Sequence, residues 1–183
     1  GNLANYGYFL TKCIREYGVD AHLLMEKYPV ESSDPKKFEN NLLAYPDWIK
    51  HWDNRNRNWK FQIIKEMRKF DLIQSSTELP IFGLFSGKPN ISFVTGSDII
   101  ELAQKNTIKG RLVRIAYRKS KLMIFSGPYM YESIKKIKIK KAIFIPQIWD
   151  FDKFSNNKHK ISRSEFTIFH PTSHIWKTKG NDI

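Results

Sequence analysis

Thr95-Gly96-Ser97-Asp98 is the run whose residue types and spacing point most directly to chemistry. An apolar strand, Ile91-Ser92-Phe93-Val94, leads into it, and helix-forming sequence follows at once. Asp98 stands three residues before Glu101, the spacing of a capping box at a helix start. Backbone N–H groups at such a start carry partial positive charge and suit an anion or a hydroxyl. Two roles are open to Ser97 and Asp98: capping a helix only, or capping it while presenting a binding edge. Asp98 is the single carboxylate of the turn and so its one candidate catalytic group.

The elements that must position this turn alternate. Leu3, Tyr6, Leu10, Cys13, Ile14 and Tyr17 recur at three and four residues, which predicts an amphipathic helix closed by Gly18. Residues 19–25 read as a strand. Helix, glycine and strand make half of a βαβ unit, with Gly1-Asn2 as the loop leaving an opening strand that the sequence lacks. Ile63, Ile64, Met67 and Phe70 mark a second helix, followed by a strand at 71–75. After Asp98, Gly110 divides two apolar faces. Leu122-Met123-Ile124-Phe125 is apolar throughout, as a strand covered on both sides requires. A short helix at 128–134 and a strand at 142–146 close the series. The expected fold is α/β, a Rossmann-like doubly wound parallel sheet with helices on both faces. Its carboxyl edge would gather Gly1-Asn2, residues 75–78, residues 95–98 and residues 126–128.

Composition narrows the partners. The 183 residues are 41% hydrophobic and 14% aromatic, a globular composition, with no apolar run near bilayer length. Cys13 is the single cysteine, which excludes an internal disulfide framework and fits a reducing compartment. His170 and His174 have no acidic or cysteine ligand near them in sequence, so no metal site is expected. The net charge is +13. Residues 109–141 hold eleven basic side chains against Glu132 alone, and so carry +10 of it. Such a concentration suits lipid headgroups, a phosphorylated substrate or nucleic acid, or is a solvated basic surface. Trp48, Ile49 and Trp52 would share one helical face among cations, placing the rings either at a membrane interface or against the domain. Residues 150–165 read as a polar linker, and a new strand begins at 166–170. The expected division is therefore domain 1–149, linker 150–165 and the start of a second domain at 166–183.

With these pieces together, the chain resembles the N-terminal domain of a GT-B glycosyltransferase of the family 4 type. The resemblance rests on the helix after Asn2, on Thr95-Gly96-Ser97-Asp98, on residues 110–120, and on Phe144-Ile145-Pro146 with Asp150 and Phe154. Phe169-His170-Pro171-Thr172 through Lys179-Gly180 resembles the opening of that family's C-terminal domain. It implies transfer of a sugar from a nucleotide-sugar donor to a glycan or lipid-linked acceptor, with retention and with no metal or other cofactor. This chain would supply the acceptor wall, through Asn2, Thr95, Gly96, Ser97 and Asp98, and would be inactive alone. Lys179, with Gly180, matches the position of the family's donor-diphosphate lysine. Ser173 replaces an arginine, Thr95 a histidine, and Gln74-Ser75-Ser76 an H-x-H run. The turn is thus read as an edge for sugar hydroxyls and not as a place where a proton is taken. Together with the basic window, the resemblance points to a cytoplasmic protein, peripheral on the inner membrane face. The competing reading is a non-enzymatic basic α/β module that binds nucleic acid or another polyanion.

Overall fold

The computed structural model describes residues 2–39 and 42–146, which belong to one compact unit, Gly1–Ile148. The expected linker, the second-domain strand, Lys179 and Gly180 lie outside the described residues.

The unit is α/β with every strand pair parallel. The strands are β1 (Leu23–Glu26), β2 (Ile49–Trp52), β3 (Ile73–Ser76), β4 (Asn90–Val94), β5 (Leu122–Phe125) and β6 (Ala142–Phe144). They form two sheets, β1–β2 and β3–β4–β5–β6. The helices are α1 (Tyr6–Glu16), α2 (Pro35–Phe38), α3 (Trp59–Met67), α4 (Pro80–Ser86), α5 (Ser97–Ile100), α6 (Ile108–Lys119) and α7 (Tyr131–Lys136).

Gly18 ends α1 as its position suggests. It sits at φ +80°, its N–H donates to Arg15 O at 2.9 Å, and Val19 N–H donates to Ile14 O at 3.3 Å. These paired bonds satisfy carbonyls that the last turn would leave open. The buried stripe of α1 differs from the expected one, being Tyr8 and Thr11, while Tyr17 is 89% exposed. The left-handed Ala4 and Asn5 delay the helix to Tyr6 and rotate its apolar face.

Two further expectations change. Gly110 does not interrupt a helix: α6 runs through it, capped by the Thr107 hydroxyl oxygen, which accepts from Gly110 N–H at 3.1 Å. Trp48, Ile49 and Trp52 do not form a helical turn, because residues 49–52 are β2. Ile49 pairs with Leu23 and Trp52 with Glu26, so neighbouring-strand contacts override the apparent helical spacing.

Three apolar clusters hold the elements. Val94, Ile99, Val113, Tyr117, Met123 and Phe125 belong to one, joining β4 and β5 to α5 and α6. Tyr8, Leu23, Met25 and Ile49 join α1 to β1 and β2. Trp52, Ile63, Met67 and Ile73 join α3 to β2 and β3. A buried polar row crosses the larger sheet. Ser75 Oγ donates to Asn90 Oδ1 at 2.7 Å, and Asn90 Nδ2 donates to Ser92 and Ser120 Oγ at 3.2 and 3.1 Å. Each member is satisfied by another, which lets polar side chains occupy a covered sheet face.

Candidate functional site

β1, β2 and β3 end at Glu26, Trp52 and Ser76, and all three ends open into one cleft of about 340 Å³. Asn2, Met25, Pro29, Val30, Ser33, Trp59, Thr77, Glu78 and Leu79 complete its lining. Two tryptophans, three hydroxyls and two carboxylates meet there, and no lysine or arginine is among the lining residues. That is notable in a chain of net charge +13. Glu78 pairs at the rim with Lys109, the first cation of the basic window. Asn54 Nδ2 donates to Tyr28 O at 3.1 Å and lies 3.4 Å from Glu26 Oε2, while its own Oδ1 is buried without a partner among the described residues.

Local sequence explains the cleft's walls. Trp59 opens α3 and meets Phe82 edge-on at 5.7 Å, which fixes one wall. Thr77 adopts φ +57°, so the chain turns sharply out of β3 and holds Thr77 and Glu78 at the opening. Asn2 is 6% exposed and its amide is fully engaged. Its Nδ2 donates to Asn5 Oδ1 at 2.7 Å and Ser33 O at 2.8 Å, and its Oδ1 accepts from Tyr8 N–H at 2.8 Å. Asn2 therefore lines the cleft while tying the start of α1 to residues 31–33.

The turn after β4 is built differently from a capping box. Gly96, not Asp98, is the N-cap of α5, and its φ of +141° with ψ of −91° is open to glycine alone. That geometry folds Asp98 back. Its Oδ1 accepts from Gly96 N–H at 2.8 Å and from Thr95 and Ile99 N–H at 3.1 Å each. The carboxylate is 4% exposed, whereas Ser97 is exposed and Thr95 half-buried. The Tyr117 hydroxyl lies 2.8 Å from Thr77 O and 3.2 Å from Asp98 Oδ2, so one proton bridges the β3 and β4 loops. Burial first, then Asp98, raises the Tyr117 phenol above its ordinary range and keeps that proton in place. Three of the four expected loops are thus joined. Tyr117 links Thr77 to Asp98, and the Tyr129 ring packs over Gly127 with its hydroxyl beside Gly96.

The basic window is divided and does not form one patch. Lys109 stands at the cleft rim, while Lys119 and Lys121 precede β5 and Lys138, Lys140 and Lys141 precede β6, at the opposite sheet edge. Arg114 and Arg118 are committed to backbone carbonyls of Ala103, Lys105 and Ile137. Trp48 stacks on Tyr8 at 5.4 Å and Trp52 is 4% exposed, so of the two settings considered for these rings they take the one against the domain.

Glu26, Ser33 and Trp59 escaped the sequence reading. Only Trp59, an aromatic at a helix start after an asparagine-rich loop, carried any signal of its place. Among the described residues no group of three or more His, Cys, Asp or Glu could hold a metal ion, and no helix is long and apolar enough to cross a membrane. Scanned against protein-family models the chain matches none, and a search of curated proteins finds no match either.

Proposed function

We propose that the protein is a glycosyltransferase, this unit forming the acceptor wall of a cleft that takes a nucleotide-sugar donor on its other side. One observation carries the reading: two tryptophans stand beside hydroxyls and carboxylates at the carboxyl edge of a parallel sheet. The Trp59 indole suits the C–H face of a pyranose, with the edge of the buried Trp52 at the cleft floor, and Ser33, Ser76, Thr77, Glu26 and Glu78 suit its hydroxyls. In the reaction an acceptor oxygen bonds to the anomeric carbon as the bond to the nucleotide diphosphate breaks. The acceptor's proton leaves with the diphosphate or to solvent. Negative charge builds on the leaving group, and Lys179 with Gly180 is the proposed place for it. Asp98, with its oxygens already accepting four donors, orients the turn and is not a base. Thr95, Gly96 and Ser97 form the adjoining rim.

The test is binding of neutral oligosaccharides to the wild-type chain and to Trp59→Ala by calorimetry. Loss of one ring platform is expected to weaken binding about tenfold, and Trp59→Phe, which keeps an aromatic ring against Phe82, is expected to weaken it less. Equal affinity in the two proteins would remove Trp59 from the site.

The basic edge favours a second contact, with an anionic surface. We place the protein peripherally on the cytoplasmic membrane face through Lys119, Lys121, Lys138, Lys140 and Lys141. Lys119→Ala with Lys121→Ala is expected to weaken binding to phosphatidylserine vesicles about thirtyfold, at about 1 kcal/mol per cation, with glycan binding unchanged. If the chain instead binds random duplex DNA and vesicles alike, with a steep salt slope and no preference among glycans, it is a polyanion-binding module.

A further inference from the structure

The cleft at the ends of β1, β2 and β3 is rich in acceptors and poor in donors. Thr77 Oγ1 donates its proton to Ser76 O at 2.7 Å, which leaves it lone pairs alone for a ligand. The Asn2 amide is fully engaged by Asn5, Ser33 and Tyr8. Glu26 and Glu78 only accept while ionised, and no lysine or arginine is among the lining residues. The side-chain donors that remain are the Trp52 and Trp59 indole N–H groups and the Ser33 and Ser76 hydroxyls.

The two carboxylates differ in their surroundings. Glu78 is paired at the rim with Lys109. Glu26 is half-buried at the end of β1, and among the described residues no lysine, arginine or histidine pairs with it. The neighbouring cations are held elsewhere: Lys27 and Arg55 stand over the Tyr28 ring at 5.6 and 3.9 Å. One neutral donor reaches Glu26, the Asn54 Nδ2 group, 3.4 Å from Oε2. Asn54 Oδ1 is itself a buried acceptor with no partner among the described residues. A carboxylate accepts about four donors, so the protein fills little of that capacity.

One ligand group answers this arrangement. A primary ammonium has three N–H donors and no acceptor. A half-buried, unpaired carboxylate attracts it more strongly than a fully solvated one would. Tryptophan faces attract it too, and Lys60 Nζ already stands 5.6 Å from the centre of the Trp59 ring.

We infer that the ligand of this cleft is an amino sugar whose free, protonated amine pairs with Glu26 while its ring lies on Trp59. The amine is a recognition group on the acceptor of the proposed glycosyltransferase, a reading on which this inference rests. The oxygen that is glycosylated belongs to another position of the acceptor. A sugar bearing a carboxylate or phosphate meets Glu26 as a like charge and is discriminated against.

The experiment is calorimetry at about pH 6, where carboxylates are ionised and amines protonated. The probes are a glucosamine disaccharide, its N-acetylated form and a linear diamine, each titrated into wild type, Glu26→Gln and Glu78→Gln. Wild type is expected to bind the free-amine disaccharide about tenfold more tightly than the N-acetylated one. It is expected to bind the diamine, which has no ring to lie on Trp59, at least about tenfold more weakly than the amino sugar. In Glu26→Gln the preference for the free amine is expected to fall to about twofold or less. In Glu78→Gln most of it is expected to remain, because Lys109 already answers that charge. Each preference compares two ligands on one protein, so a general loss of affinity in a variant cancels. Equal binding of the two sugars to wild type would overturn the inference and leave the sugar site standing. Equal binding of diamine and amino sugar, or a preference that survives Glu26→Gln, would overturn it as well. Binding of neither sugar would remove the glycosyltransferase reading together with it.

Discussion

Asp98→Ala is expected to destabilise the protein by about 3 kcal/mol, read from urea unfolding. The carboxylate gathers Thr95, Gly96 and Ile99 N–H on one oxygen and the Tyr117 hydroxyl on the other. Alanine leaves the buried Gly96 and half-buried Thr95 N–H groups without this acceptor, Ile99 N–H with Gly96 O alone, and the phenol proton with Thr77 O alone. Gly96 cannot relax to help them, since its φ of +141° is what brings those N–H groups together. Asp98→Asn keeps one acceptor oxygen and is expected to cost less, about 1.5 kcal/mol. Tyr117→Phe removes the bridge to Thr77 and should be non-additive with either, because the two side chains share a bond. A loss below about 0.5 kcal/mol for Asp98→Ala would show that water satisfies the turn and that the carboxylate is free for another role.

Gly110→Ala is expected to cost about 3 kcal/mol, against the usual sign for a helical glycine. In an ordinary helix interior that change stabilises by up to about 1 kcal/mol. Here a Cβ at Gly110 would stand 2.4 Å from Lys105 O and 2.8 Å from Leu102 O, both backbone atoms with no rotamer to give. α6 would have to withdraw from residues 102–105, breaking the bonds from Arg114 to the Ala103 and Lys105 carbonyls. Overpacking of this kind is strongly unfavourable. For a unit of this size the melting temperature should fall by roughly 6–12 °C. A rise in melting temperature would mean that α6 and residues 102–105 are not held as closely as the structure places them.

Sequence and structure part company in instructive places. Apolar runs and glycines placed β4, β5 and the end of α1 correctly, because those signals are local: burial on both faces, and a left-handed residue past a helix. Gly110 misled for the same reason. A glycine inside a helix reads as a break until the carbonyls of Leu102 and Lys105 are seen against it. Trp48 and Trp52 misled because four residues fit both a helical turn and a short strand, and the pairing with β1 decides. The D-x-x-E spacing found the right helix start and the wrong cap. The role of Asp98 depends on Tyr117, 19 residues further on, which no local pattern contains. The cleft was legible only as an edge. Of the expected loop 75–78, residues 76–78 belong to it while Ser75 is buried in the sheet, and Glu26, Ser33 and Trp59 enter from three other segments. Asn2 was placed at the cleft, where it lies, though its amide is spent on Asn5, Ser33 and Tyr8.

The central claim, that the cleft beside Glu26, Trp59 and Glu78 holds a sugar, is tested most directly by nitrogen-15 NMR of the labelled chain titrated with a neutral oligosaccharide. The Trp52 and Trp59 indole N–H signals and the Thr77 and Glu78 amides are expected to shift together and saturate, with Lys119–Lys141 amides unmoved. A titration in which the cleft signals stay fixed, while duplex DNA moves those of residues 119–141, would contradict the account.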